Sequence, residues 1–208
     1  MTTPVRIVGA GTSNLRDAAV ETLVAAFAAE PSWSDALPNA DRRIMVLRAA
    51  LGVLCGDAAR RGTLTVALLD DHVVGASVGL APGYHPSALR SPAYVWAAAG
   101  IVRHAGTASL DLWRHWRTLH AVDPREKPHW HLAELGVRPD SQGRGVGRAL
   151  LDAFLIRVDE GGAPAYLETT RSELVTWYGA SGFEVRERLV VTGGAPAWTM
   201  WRAARSDA

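Results

Sequence analysis

A glycine-rich stretch in the second half of the chain has the residue types of an anion-binding turn. It reads Gln142-Gly143-Arg144-Gly145-Val146-Gly147-Arg148 and lies between an apolar run and a strongly amphipathic segment. Its three glycines allow the backbone to pass very close to a bound group. A negative charge would be favoured here by the N–H groups and positive dipole end of the following helix and by the two arginines. Three glycines leave room for a bulky anion, so they suit a diphosphate. A tight turn with close helix–sheet packing is the alternative.

Titratable side chains occur in the apolar run that precedes this turn. Glu134 is a charged residue in the predicted strand Trp130–Val137, and His129 and His131 have the spacing that puts two side chains on one strand face. The carboxylate or either neutral imidazole could act as a general base. Glu134 could equally form a salt bridge at the sheet surface. Two histidines could also begin a metal site, but no third ligand lies nearby in the sequence, so we predict no metal.

The hydrophobic pattern predicts one α/β (α+β) domain over residues 1–208. Apolar residues at helical spacing predict helices over about 14–29, 41–61, 145–160 and 172–181. Runs typical of strands cover about 5–8, 64–69, 72–80, 130–137, 165–169, 183–191 and 197–202. In the run 183–191, Phe183, Val185, Leu189 and Val191 should share one face. Residues 81–128 contain no clear strand, and their prolines and glycines divide them into one or two helices.

Composition excludes several classes of protein. The 22 Lys and Arg against 21 Asp and Glu give a net charge of +1, whereas nucleic acid and anionic membranes require clustered positive charge. The single cysteine, Cys55, excludes an intrachain disulfide and fits a reducing compartment. The first residues lack the pattern of a signal peptide, and no apolar stretch reaches the roughly 20 residues of a membrane span. We expect a cytoplasmic protein without nucleic-acid or membrane partners, and leave a homodimer open.

Two segments resemble the GNAT N-acyltransferase superfamily. Residues 135–151 resemble its acyl-CoA-binding segment, whose pattern of Gln or Arg, two residues, Gly, one residue, Gly or Ala falls on Gln142, Gly145 and Gly147. Residues 166–170 are similar to its next strand, and residues 177–183 to its aromatic-Tyr-x-x-x-Gly-Phe segment. The resemblance implies a central mixed, mostly antiparallel sheet of about six or seven strands, flanked by helices. A helical insertion, about 81–128, would precede the fourth strand.

The resemblance also implies roles for individual residues. The fourth and fifth strands splay apart in this family, and the pantetheine arm of acetyl-CoA pairs with the backbone of the fourth. The cofactor-binding residues implied are Leu135, Gly136, Val137, Gln142, Gly143, Arg144, Gly145, Val146, Gly147 and Arg148. Tyr178 matches the tyrosine that protonates the leaving thiolate. Attack by an amine also needs a base, for which Glu134 is the first candidate and His129, His131 or water are the alternatives.

The implied activity is that of an acetyl-CoA-dependent N-acetyltransferase, without a metal, acting directly in a ternary complex on a primary amine of a small, antibiotic- or metabolite-like molecule. Trp113, Trp116 and His131 are the predicted acceptor-binding residues, because the tryptophan-bearing insertion lies where such folds shape the acceptor side. Acetylation of a protein N-terminus or lysine is one alternative. The other is a non-catalytic acyl-CoA sensor, against which the presence of Tyr178 and a nearby base argues.

Overall fold

Seven strands form one sheet in this computed structural model, which describes residues 4–86, 91–191 and 194–205. The strands are β1 (Arg6–Gly9), β2 (Leu64–Leu69), β3 (His72–Leu80), β4 (Trp130–Val137), β5 (Ala165–Thr169), β6 (Glu184–Val190) and β7 (Pro196–Arg202). The helices are α1 (Ser13–Phe27), α2 (Pro31–Ala36), α3 (Ala40–Arg60), α4 (Pro92–Ala105), α5 (Ala108–Val122), α6 (Val146–Glu160) and α7 (Ser172–Gly179). The sheet order is β1-β2-β3-β4-β5-β7-β6.

The pairing of β4 with β5 differs from the rest of the sheet. These two strands are parallel, while all other neighbouring pairs are antiparallel. They pair only at Trp130 with Ala165 and at His131 with Tyr166, and they separate beyond those residues. The mixed, mostly antiparallel sheet and the helical insertion before the fourth strand, here α4 and α5, are confirmed.

Apolar cores cover both faces of the sheet. On one face, α1 and α3 bury residues such as Leu23 and Leu51 against β2 and β3. On the other, α6 buries Val146 and Leu150 against alternate residues of the same strands. The approach of α1 to β4 is close, since a Cβ at Gly136 would lie 2.9 Å from Leu23 and 3.0 Å from Ala26. A glycine at this position therefore sets the distance between helix and strand.

Two local features differ from the sequence prediction. The short helix α2 was not predicted, although its first residue, Pro31, is of the type that favours a first helical position. In β6, Arg186 is an extra residue between the pairs formed by Val185 and Glu187, and this bulge breaks the alternation. Val185 pairs with Met200, whereas Leu189 pairs with Ala197, three residues away on β7. Val185 and Leu189 therefore lie on opposite faces, so the predicted common face is wrong. In the described ranges, we find no helix with the length and apolar character needed to cross a membrane.

Candidate active site

A cavity of about 1000 Å³ opens where β4 and β5 separate. One part of its wall is formed by β4, by the glycine turn (residues 142–148) at the start of α6, and by the segment from β5 into α7. Helices α1 to α5 form another part, which is largely apolar and includes Leu47, Tyr94, Ile101, Trp116 and Leu119. The cavity therefore joins a polar backbone-lined region to an apolar, aromatic one.

The structure brings nearly all the sequence-predicted site residues to this cavity. They are Glu134, Tyr178, Leu135, Gly136, Val137, Gln142, Gly143, Gly145, Val146, Gly147, Arg148, Trp113, Trp116 and His131. Arg144 is exposed and does not line it. His129 is buried, with Nδ1 2.7 Å from the carbonyl oxygen of Lys127 and Nε2 3.3 Å from Asp123. Both histidine rings pack against Tyr166, so their predicted common face is confirmed.

The glycine turn is shaped by two left-handed residues. Gly143 and Gly145 have φ of +72° and +78°, a conformation that side chains disfavour. A Cβ at either residue would point into open space. Gly145 directly precedes α6, which has no side-chain cap and no acidic residue in its first turn. The first N–H groups of α6 therefore face an environment that favours an anion. The Gln142 amide donates to the carbonyl oxygen of Val137 at 3.2 Å and ties the turn to β4.

A bulge in β4 positions Glu134. Val78 pairs with Glu134 and Gly79 with Leu132, so Ala133 is an extra residue. The bulge lets Glu134 and His131 reach the same cavity, although they are three residues apart. The Glu134 side chain keeps some accessible surface because it lines the cavity, but it lies deep within the protein.

The pKa of Glu134 is raised to about 8, because burial penalises its charged form. His131 lowers this pKa, whereas the carboxylates of Glu168 and Glu30 raise it further. In the free protein, Glu134 therefore titrates just above neutral pH rather than in the acidic range.

Tyr178 lies near the end of α7 with its ring between two aromatic neighbours. The ring centroids of Trp177 and Phe183 are 4.8 and 5.9 Å away, and Tyr178 is 7% exposed. Burial, with added repulsion from Glu134 and Glu30, raises the pKa of its phenol to about 12. The phenol is therefore neutral at physiological pH and keeps a proton to donate.

Three ion pairs at the cavity were not predicted from the sequence. His131 Nε2 lies 2.7 Å from Glu168 Oε2, and Arg171 lies 3.3 Å from Glu30. Asp123 lies 3.2 Å from Arg125. Burial alone would raise the pKa of Asp123, but the interactions with His129 and Arg125 hold it at about 2. The one local signal was Glu168, a charged residue in the otherwise largely apolar run of β5.

Within the parts of the chain that the structure describes, no three His, Cys, Asp or Glu side chains are grouped in a way that could hold a metal ion.

The acceptor-side tryptophans differ in exposure. Trp116 is half-buried, while Trp113 is 54% exposed and carries the Arg117 guanidinium 4.5 Å from its ring centroid.

Comparison with known proteins gives the family of this chain. The model of the acetyltransferase (GNAT) family matches residues 29–177, and the chain belongs to that family. Over 102 residues, 48% of this chain, it is 41% identical to mycothiol acetyltransferase of Propionibacterium freudenreichii. The match spans 31% of that relative's length. The family predicted from the sequence is confirmed, and the family uses acetyl-CoA as its cosubstrate.

Solved structures show the same fold. The Corynebacterium glutamicum structure of histone acetyltransferase HPA2 and related acetyltransferase has a TM-score of 0.71 and 24% identity, covering 100% of this chain and 99% of that one. The Drosophila melanogaster polyamine N-acetyltransferase, which catalyses formation of N-acetylagmatine, has a TM-score of 0.64 and 19% identity, with coverages of 96% and 100%. At these identities the similarity concerns the fold.

Proposed function

We propose that this protein transfers an acetyl group from acetyl-CoA directly to the primary amine of a small molecule bound beside it. The observation that carries the proposal is that Glu134, Tyr178 and the glycine turn all line the same cavity. A base, an acid and an anion-binding turn are what direct transfer from a thioester to an amine requires. Family membership supports the same reaction class.

The residues of the turn fit the diphosphate of acetyl-CoA. The left-handed glycines leave open space where side chains would otherwise stand, and the uncapped start of α6 favours negative charge. Beyond His131, the edge of β4 no longer pairs with β5. The backbone of Leu135, Gly136 and Val137 would hold the amide groups of the pantetheine arm along that edge. When bound, acetyl-CoA supplies the activated acetyl group.

Glu134 is the proposed general base. A primary amine reaches the site as an ammonium ion, and it must lose a proton before it can attack. A base titrating near the working pH combines availability with proton affinity. At a pKa of about 8, roughly a tenth of Glu134 is ionised at pH 7 in the free protein. The positive charge of an arriving ammonium would increase that fraction.

Tyr178 is the proposed acid. A phenol with a pKa of about 12 is a weaker acid than a thiol of pKa about 8.5. Its main contribution is therefore a hydrogen bond to the thiolate as the C–S bond breaks. The amine nitrogen forms the new C–N bond and loses two protons in all. One proton leaves through Glu134, and the other ends on the thiol, directly or by way of Tyr178.

The apolar part of the cavity supports an acceptor with apolar or aromatic bulk. Its walls include Tyr94, Ile101, Trp113, Trp116 and Leu119 from the two inserted helices. Such a wall contributes affinity through buried area, whereas Glu134 recognises the amine. Among the similar structures, the Drosophila melanogaster enzyme acts on polyamine, which supports a small amine as the acceptor class.

The test is thiol release from acetyl-CoA with a panel of small amines and peptides, for wild-type protein and Tyr178→Phe. The variant removes one oxygen and keeps the ring packing, so we expect kcat to fall about 10²–10⁴-fold with little change in KM for acetyl-CoA. Glu187→Gln is the control, because Glu187 is exposed on β6 and does not line the cavity. Binding of acetyl-CoA without turnover on any amine would favour a sensor, and turnover on peptides alone would favour protein acetylation.

A further inference from the structure

We propose that Glu168 is a positioning residue that keeps the His131 ring protonated in the cavity wall, so that the charge on His131 controls when Glu134 can accept a proton. The inference rests on the proposed function, because it concerns the same base. Glu168 acts on Glu134 mainly through His131, and its own carboxylate also opposes ionisation of Glu134 directly.

The geometry places this ion pair across the opening between two strands. His131 and Tyr166 form the last pair between β4 and β5. Glu168 lies two residues beyond Tyr166 and therefore on the same strand face. Its Oε2 is 2.7 Å from His131 Nε2, and both side chains are 15% exposed. The Tyr166 ring packs edge-on against the imidazole, with centroids 5.2 Å apart, and restrains the ring.

The charges around His131 favour its protonated form. Burial alone would lower the pKa of His131, but Glu168, Asp123 and Glu134 together raise it above the ordinary value. A hydrogen bond to a carboxylate at this distance is of the charge-assisted kind, which is the stronger class. The neighbouring His85 and His120 have lowered pKa values, because they are partly buried and are repelled by the charge on His131.

His131 is in turn the group that lowers the pKa of Glu134. The groups that interact electrostatically with Glu134 are Glu30, Cys55, His131, Glu168 and Tyr178. Burial raises the pKa of both Cys55 and Tyr178 to about 12, so these two are neutral near pH 7. The carboxylates of Glu30 and Glu168 oppose ionisation of Glu134, whereas His131 favours that ionisation. The effect of His131 is larger than that of Glu168.

Two substitutions should therefore interact in a characteristic way. Glu168→Gln removes a carboxylate but also releases the proton of buried His131, so the larger favourable charge is lost and the pKa of Glu134 rises. In a protein that already carries His131→Gln, the same Glu168→Gln substitution only removes a repelling carboxylate, and the pKa of Glu134 falls. The effect of Glu168→Gln thus changes sign with the residue at position 131.

The experiment is the pH profile of kcat/KM for wild-type protein, Glu168→Gln, His131→Gln and the double variant, with an amine that supports thiol release. Glu168→Gln should move the limb assigned to Glu134 upward by roughly one pH unit, the size expected for a charge a few ångströms away in a partly screened interior. In the His131→Gln background, it should move the limb downward. A shift of the same sign in both backgrounds, or none, would overturn the inference.

A second measurement needs no substrate. The imidazole NMR signals are followed against pH, and His131 is identified by the signal missing in His131→Gln. We expect its midpoint to fall by at least one pH unit in Glu168→Gln and to stay unchanged in Glu187→Gln, an exposed control on β6. An unchanged midpoint in folded Glu168→Gln would overturn the inference. Absence of turnover with a shifted midpoint would overturn the proposed function and leave only the control of the His131 charge.

Discussion

Replacing Glu134 by glutamine should stabilise the protein, and by more as the pH rises. The carboxyl has an ordinary pKa of 4.5 in the unfolded chain and about 8 in the folded protein. Between these values the folded state holds a proton that the unfolded state has lost. The stability contributed by the protonated carboxyl is therefore fully present below pH 4.5 and is lost as the pH rises through 8. Glutamine is isosteric and cannot ionise, so Glu134→Gln avoids this loss.

The size of the effect follows from the two pKa values. The folded value lies about 3.5 pH units above the ordinary one of 4.5, and each unit corresponds to about 1.4 kcal/mol. The difference in free energy of unfolding between variant and wild type should grow from about 1 kcal/mol at pH 5 to about 3–5 kcal/mol at pH 9. The increase should level off above pH 8, where the folded carboxyl also ionises.

The assay is urea denaturation of both proteins at several pH values from 5 to 9. Other titrating groups occur in both proteins and largely cancel in the difference. Glu187→Gln, at an exposed carboxyl on β6, is the control and should show a difference of only a few tenths of a kcal/mol at each pH. A difference that does not change with pH, or a variant less stable than wild type at pH 9, would refute the argument that burial raises the pKa of Glu134.

Two pairs of substitutions and one deletion test the turn, the insertion and the packing of α1. Gly145→Glu should abolish acetyl-CoA binding measured by calorimetry. Gly145→Asn should keep measurable binding, because asparagine tolerates the φ of +78° better than other side chains. Equal affinities of the two variants would contradict the proposed diphosphate site. Shortening residues 110–119 should change acceptor preference with acetyl-CoA affinity nearly unchanged, and loss of both would mean that α5 belongs to the core. Gly136→Ala should lower the free energy of unfolding, measured by urea denaturation, by about 1–3 kcal/mol, because its Cβ would lie 2.9 Å from Leu23. Gly9→Ala should lower it less, because a Cβ at Gly9 would meet open space. Equal losses would contradict this packing.

Much of the fold could be predicted because its signals are local. The predicted strands 64–69, 72–80, 130–137 and 165–169 match the observed bounds of β2 to β5. The hairpin between β2 and β3 has Asp70 and Asp71 at its turn, with φ of 48° and 62°. Aspartate tolerates this left-handed conformation better than most residues, and a two-residue turn of this kind matches the twist of paired strands. Composition at two positions was thus enough to place the turn.

The ion pairs of the candidate site had no comparable signal. Glu168 contacts His131 across 37 residues of chain, and Arg171 contacts Glu30 across 141. Each contact depends on where two strands or loops come together, which periodicity within a segment does not encode. The sequence showed Glu168 only as a charged residue in a buried strand. Its partner became visible once β4 and β5 were placed side by side.

Two departures from a regular sheet create the site. In an unbroken strand, His131 and Glu134 are three residues apart and would lie on opposite faces. The extra residue Ala133 brings both side chains to the cavity. The end of β4–β5 pairing after His131 then opens the space that these side chains line. Neither the bulge nor the end of the pairing leaves a signal in residue type or in hydrophobic periodicity. Sequence patterns therefore predict the strands correctly but miss the arrangement on which the proposed chemistry depends.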